Sequence, residues 1–329
     1  MKAQIRALIA AGGPGDEAGF EAAALALYRW QVQHNADYAA FAAGTEPQSW
    51  RAIPAVPVGL FRDLALTCFP PEQARVVFRT SGTTAERSGY HRLLDTEVYD
   101  LGALAHARRC IGMIPEAGVS LVSHAPWSSL GHMCAAFAPG LLRCFSPEGG
   151  LDRPAAIAAL RAAREPIFVP ATAFALADLL LPEDEPALEP IPLPEGSLVM
   201  VTGGFKGRRR EVVGEALAEA ARAAFGPARL VGEYGMTELS SQLWADPLGA
   251  PFRPPPWLRA LPVDPESGEP AEQGQLRLYD LANHATVLAI ETQDLGRVLP
   301  DGRVELLGRL PAAPARGCSL DAEVARSGS

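Results

Sequence analysis

Cysteine is scarce in this 329-residue chain: there are five, Cys68, Cys110, Cys134, Cys144 and Cys318, with no CxxC pair and no Cys/His group at metal-ligand spacing. That pattern excludes a structural zinc site and a disulfide scaffold, and it reads as a set of reduced thiols. The first four stand among apolar residues, where cysteine behaves as a small hydrophobe. Long apolar runs are missing too. Nowhere do about 18 apolar residues follow one another without a charge or a proline, so no transmembrane helix is expected. Positive charge is in deficit, with 29 Lys and Arg against 38 Asp and Glu and a net charge of -9. The longest basic cluster is Arg208, Arg209 and Arg210, too little for phosphate-backbone binding, so nucleic acid is excluded as a partner. Residues 1–11 run into Gly12-Gly13-Pro14-Gly15 with no long apolar stretch or small-residue cleavage site. No secretory signal is read, and a cytoplasmic location is expected.

A packed core is well supplied, since 48% of residues are hydrophobic and 20% charged, close to the averages for globular proteins. Over residues 21–41, with Phe20 just before, Ala23, Ala24, Leu27, Tyr28, Val32 and Tyr38 recur at helical spacing and predict an amphipathic helical region. Pro47, Pro54, Pro57, Pro70 and Pro71 then demand an extended lead-in. Short apolar runs at 75–78, 119–122, 167–169, 198–201 and 230–231 alternate with helix-length stretches at 96–111, 154–164, 172–180 and 208–225. That alternation implies crossover units and a largely parallel sheet. Beyond the prolines at 247–256, short runs at 275–279, 286–290 and 303–307, the last two parted by an Asp301-Gly302 turn, predict an antiparallel β subdomain. No internal repeat is present. The expected organisation is a helical region and lead-in at 1–72, an α/β core at 73–246, the β subdomain at 247–310 and a mobile tail at 311–329.

Two loops carry the chemistry. Thr80-Ser81-Gly82-Thr83-Thr84 follows an expected strand and is expected to precede a helix; its hydroxyls and backbone N–H groups suit triphosphate oxygens. It is not a Walker loop, because no Gly-Lys-Ser/Thr follows, and such a cluster alone is often only a turn. The second loop, Gly232-Glu233-Tyr234-Gly235-Met236-Thr237-Glu238, lies about 150 residues on and again follows an expected strand, so both should reach one carboxyl edge of the sheet. Tyr234 offers a flat face for adenine, Thr237 a hydroxyl for the α-phosphate and Glu238 a hard oxygen ligand for Mg²⁺.

Thr80-Ser81-Gly82-Thr83-Thr84 and Tyr234-Gly235-Met236-Thr237-Glu238, followed in order by Gln293-Asp294-Leu295-Gly296 and Gly308-Arg309, resemble the ordered motifs of the adenylate-forming superfamily. Within it, Ser128-Ser129-Leu130-Gly131-His132-Met133, Gly203-Gly204-Phe205-Lys206 and Arg316-Gly317-Cys318-Ser319-Leu320 are most similar to the acyl-protein synthetase (LuxE) branch. The resemblance implies an α/β fold, the N-terminal core of an adenylate-forming enzyme with layered, mostly parallel sheets and a small antiparallel β subdomain. It also implies that the usual mobile C-terminal domain and its lysine are missing. Asp294 and Arg309 are then expected on the ribose hydroxyls, and Cys318 as the thiol that takes the acyl group.

Two further residues stay open. Lys206 could bring positive charge to the phosphates or sit on a solvated face, and His132 could orient the carboxylate or be a packed core histidine. Phe137, Phe168, Phe174 and Phe205 could line an acyl tunnel or simply fill the core. The chain departs from the family loop at Ala85, where glycine is usual and where a side chain penalises positive φ by roughly 1 kcal/mol or more.

The activity implied is activation of a carboxylic acid, by resemblance a fatty acid, with ATP and Mg²⁺. An acyl-adenylate forms, then a thioester on Cys318, handed to an acyl-accepting (LuxC-like) reductase or a carrier protein, with a homo- or hetero-oligomer compatible with that role. An acyl-CoA or aryl-CoA ligase and a non-catalytic nucleotide-binding subunit of a reductase complex are the alternatives.

Overall fold

The computed structural model describes residues 1–80, 88–145, 150–181, 188–203 and 213–310, apart from the side chains of residues 213 and 214. The chain opens with α1 (Lys2–Ala10), α2 (Glu17–His34) and α3 (Ala36–Ala42). The Asp16 side chain caps α2 by accepting from the Gly19 amide, satisfying a donor that the first turn leaves unpaired. Asn35 ends α2 and caps α3 through the Tyr38 amide, so the helical stretch expected at 21–41 is two helices broken at an Asx cap. The short α1 is an addition to that expectation.

There follow β1 (Val56–Pro57), β2 (Val76–Arg79), β3 (Tyr90–Leu93) and α4 (Glu97–Ile111). Next come β4 (Ala117–Ser120), α5 (Ser129–Phe137), β5 (Gly140–Arg143), α6 (Arg153–Ala162), β6 (Phe168–Thr172), α7 (Ala173–Leu180), β7 (Leu198–Thr202), α8 (Val213–Phe225), β8 (Arg229–Tyr234) and β9 (Leu243–Ala245). The last strands are β10 (Leu258–Val263), β11 (Gln273–Asp280), β12 (Ala289–Val298) and β13 (Val304–Arg309).

The chain is α/β, and its residues group into two compact units, each assembled from separated segments. One holds Met1–Gly102, Thr237–Ser241 and the chain from Pro254; the other holds Ala103–Met236 and Gln242–Arg253. In the first unit β1-β12-β11-β10 form a sheet in which β13 also pairs with β12, while β2 and β3 form a separate antiparallel pair. β1 runs parallel to β12, so the proline-rich lead-in contributes a strand to the C-terminal sheet.

The second unit is the doubly wound part. Its strand order is β5-β4-β6-β7-β8-β9, parallel throughout except for β9, which returns antiparallel along β8. Asp152, with Pro154 in the first turn, and Thr172 cap α6 and α7, which keeps each crossover short. Gly118 lets β4 approach β6, since a Cβ there would stand 1.8 Å from the Phe168 carbonyl oxygen. Val169, Val199, Leu176, Leu179, Leu217 and Phe225 pack on one face of this sheet, all at most 2% exposed. Each fully buried side chain of this size contributes about 1.5–3 kcal/mol.

The Thr80–Thr84 loop does not lead from a strand into a helix, because β3 intervenes and pairs antiparallel with β2, Val76 opposite Leu93 and Arg79 opposite Tyr90. The loop therefore connects a β-hairpin, and it leaves a different sheet from the one that ends at Tyr234. Tyr90-His91-Arg92-Leu93 escapes a search for apolar runs because only alternate residues, His91 and Leu93, are buried.

Candidate active site

Ser81, Gly82, Thr83, Thr84 and the divergent Ala85 lie outside the described residues, as do Phe205, Lys206 and Cys318. The base of the hairpin is well placed. The Thr80 amide donates to the Gly89 carbonyl at 3.0 Å, and the Gly89 amide donates to the Thr80 hydroxyl at 2.8 Å. These reciprocal bonds clamp the two ends of the loop together. An added Cβ at Gly89 would stand 3.4 Å from a Glu238 carboxylate oxygen, the Thr80 methyl group and Phe61 Cβ alike, an ordinary contact distance that sets all three beside Gly89. The Glu238 carboxylate thus lies against the base of the hairpin, with the residue 5% exposed.

Thr237 is tied to the same hairpin. His91 on β3 donates from Nδ1 to the Thr237 carbonyl at 2.8 Å, and its Nε2 faces the Thr286 hydroxyl at 3.3 Å. Complete burial lowers the His91 pKa to about 4, against a smaller opposing effect of the Thr237 hydrogen bond, so the ring is neutral at pH 7. Asp294 and Arg309 are cross-strand partners on β12 and β13, with Arg309 Nε 3.7 Å from Asp294 Oδ1 and Arg309 Nη2 donating to Gln293 Oε1 at 3.1 Å. The partly exposed pair sets a carboxylate acceptor beside a guanidinium donor, a combination suited to adjacent hydroxyls.

In the second unit, Tyr234 ends β8 as a residue 9% exposed, with its ring centroid 5.8 Å from that of Phe252. Gly235 follows, and a Cβ there would come within 2.6 Å of a Glu233 carboxylate oxygen, so a larger residue would displace that carboxylate. Glu233 lies within the Gly232–Glu238 motif, yet the sequence gives it no role. It is buried and accepts a hydrogen bond from the Thr202 hydroxyl, and burial pushes its pKa up to about 7 despite that bond. The nearby Gln242 carbonyl oxygen is buried with no hydrogen-bond partner among the described residues. No sequence signal marks a buried acid of this kind beyond its position inside an apolar strand.

His132 lies half-buried on α5, whose start is capped by Ser128 accepting from the Gly131 amide. Gly131 admits the preceding loop, since a Cβ would stand 2.3 Å from the Ser123 carbonyl oxygen. That loop also holds His124, whose Nε2 is 2.7 Å from the buried Ser120 hydroxyl. Phe168 is fully buried and Phe137 packs against Trp244, both as core residues, whereas Phe174 is exposed.

Among the described residues, no group of three or more His, Cys, Asp or Glu side chains could hold a metal. Glu238 alone still fits Mg²⁺, which commonly takes one or two carboxylates and completes its shell with phosphate oxygens and water. The described thiols are not activated: burial raises Cys68 to about 12 and also raises Cys110, Cys134 and Cys144. No helix among the described residues is long and apolar enough to cross a membrane. A cavity of about 350 Å³ beside α2, lined by Tyr28, Val32 and Pro47 among others, contains none of the site residues named above.

The architecture has solved counterparts. ATP-bound MatB from Rhodopseudomonas palustris matches with a TM-score of 0.51 and 18% identity over 73% of this chain and 49% of its own. An ATP-bound RpMatB-BxBclM chimera, B3, gives 0.52 and 18% over the same shares. The matched part of the chain shares the fold of these structures. The chain spans about half the length of these structures. No family model and no curated protein sequence matches it.

Proposed function

We propose that this protein activates a carboxylic acid with ATP and Mg²⁺ and then transfers the acyl group to the Cys318 thiol, for delivery to an acyl-accepting reductase or carrier. The observation that carries the first half is the packing of Glu238 and Thr237 against the Thr80–Gly89 hairpin base in a chain with this fold. The solved MatB structure with that fold holds ATP, in keeping with a nucleotide at such a loop.

In the first half-reaction a carboxylate oxygen attacks the α-phosphorus, the bond to the pyrophosphate oxygen breaks, and acyl-AMP and pyrophosphate result. Mg²⁺, when bound, neutralises charge on the phosphate oxygens. The chain's own part is positioning: the Thr80 loop cradles pyrophosphate, Glu238 provides the metal-binding oxygen, and Asp294 with Arg309 grips the ribose. In the second half the Cys318 thiolate attacks the acyl carbonyl, the carbonyl–oxygen bond to AMP breaks, and AMP leaves as a thioester forms.

Intact-mass measurement after incubation with ATP, Mg²⁺ and a mixture of carboxylic acids tests both halves. A retained, hydroxylamine-labile acyl mass is expected. AMP release that requires added CoA and leaves the protein unmodified would replace the second half with a CoA ligase. No acid-dependent pyrophosphate exchange with any acid would overturn the first.

A further inference from the structure

Thr237–Ser241 is a five-residue piece of chain held by groups distant in sequence. Asn283, in the connector between β11 and β12, is 1% exposed. Its Nδ2 donates to the Glu238 carbonyl at 3.0 Å and to the Val287 carbonyl at 3.1 Å, while its Oδ1 accepts from the Ser240 amide at 2.8 Å. Both amide hydrogens and one oxygen acceptor are used, so the side chain has a single sensible orientation. Asp280 completes the grip by accepting from the Ser241 hydroxyl at 2.8 Å and the Ala282 amide at 2.9 Å.

The connector is itself seated by the N-terminal region. Gln31 of α2 is fully buried, donates from Nε2 to the Asn283 carbonyl at 2.9 Å, and accepts from the Leu288 amide through Oε1 at 3.0 Å. One side chain thereby spans the connector. A buried amide at such a point is costly unless every group is satisfied, and an apolar residue would pack α2 as well. What the amides provide, and apolar contact does not, is a fixed position for the Glu238 backbone.

We infer that Asn283, seated by Gln31, is a positioning residue that holds the Glu238 segment in register with the hairpin base and so governs the metal dependence of adenylation. This rests on the reading of Glu238 as the Mg²⁺ ligand. The helical region at the N-terminus is then part of the active-site support and not merely a cover for the core.

The test measures acid-dependent ATP–pyrophosphate exchange against Mg²⁺ concentration for the full chain, with Asn283→Asp, Gln31→Glu and Glu238→Gln. Asn283→Asp keeps the shape and the acceptor for Ser240 but turns the two donors into an acceptor facing two carbonyls. Gln31→Glu likewise keeps the acceptor for the Leu288 amide but turns the donor shared by the Asn283 and His284 carbonyls into an acceptor, and it serves if the first variant folds poorly. Half-saturating Mg²⁺ is expected to rise at least about fivefold in Asn283→Asp and in the same direction in Gln31→Glu, with the KM for the acid within about twofold of the parent. If Glu238→Gln shifts the Mg²⁺ dependence and neither amide variant does, the positioning role is overturned. It is equally overturned if all kinetic constants fall together with the melting temperature, as a purely structural role requires. If Glu238→Gln leaves the Mg²⁺ dependence unchanged, the metal-ligand reading fails and takes this inference with it.

Discussion

His91 Nδ1 stands 2.8 Å from the carbonyl oxygen of Thr237, joining the strand that leaves the Thr80 loop to the residue before Glu238. A carbonyl only accepts, so Nδ1 carries the proton, and Nε2 is left to accept from the Thr286 hydroxyl at 3.3 Å. The arrangement requires a neutral imidazole, and burial enforces it.

The first prediction follows from that neutrality. Folding lowers the His91 pKa from 6.5 to about 4, so the unfolded chain takes up the proton first. Stability is full above about pH 6.5 and falls as the pH drops towards 4, by up to about 3 kcal/mol for this group. His106 shifts in the same direction and adds to the slope. Urea unfolding of the parent and of His91→Gln between pH 4 and 7 should give profiles that converge at acid pH; parallel profiles would refute the assignment.

Glu233 should act with the opposite sign. Its pKa rises on folding from 4.5 to about 7, so its contribution is full below about pH 4.5 and is lost as the pH rises through 7. At pH 8 the ionised carboxyl costs up to about 3 kcal/mol. Glu233→Gln keeps the size and an acceptor for Thr202 and should be the more stable protein at pH 8 but not at pH 4.5. An equal difference at both pH values would show that the carboxyl is not the cause.

Replacing Glu238 with Gln keeps the packing against Gly89 and removes one formal charge from the proposed metal site. Pyrophosphate exchange at limiting Mg²⁺ should fall at least about tenfold, which is 1.4 kcal/mol of transition-state stabilisation. Exchange kinetics indistinguishable from the parent would remove Glu238 from the site.

Cys318→Ser separates the two half-reactions. Adenylation needs no thiol, so acid-dependent exchange should survive while the rapidly formed, hydroxylamine-labile acyl mass disappears or gives way to a much slower oxyester. The other four thiols are raised in pKa by burial and should not substitute. A normal thioester on this variant would move the acceptor elsewhere.

Read by itself, the amino-acid sequence determined the elements whose causes are local. The apolar strands β4, β6, β7 and β8 and the intervening helices follow from runs and periodicities a few residues long, and their parallel order follows from the crossover lengths. Asp294 and Arg309 were named from the order of their motifs along the chain, whereas their pairing across β12 and β13 came only with the structure. Only the tertiary structure decided that the Thr80 loop closes a hairpin, that the lead-in supplies β1 to the C-terminal sheet, and that Glu233 is a buried acid. It alone decided what supports Glu238. Gln31 and Asn283 are 252 residues apart and His91 and Thr237 are 146 apart, and each is a single polar side chain with no periodic signature. A hydrogen bond between such groups has no local cause, so it exists only once the core has brought both ends out of water.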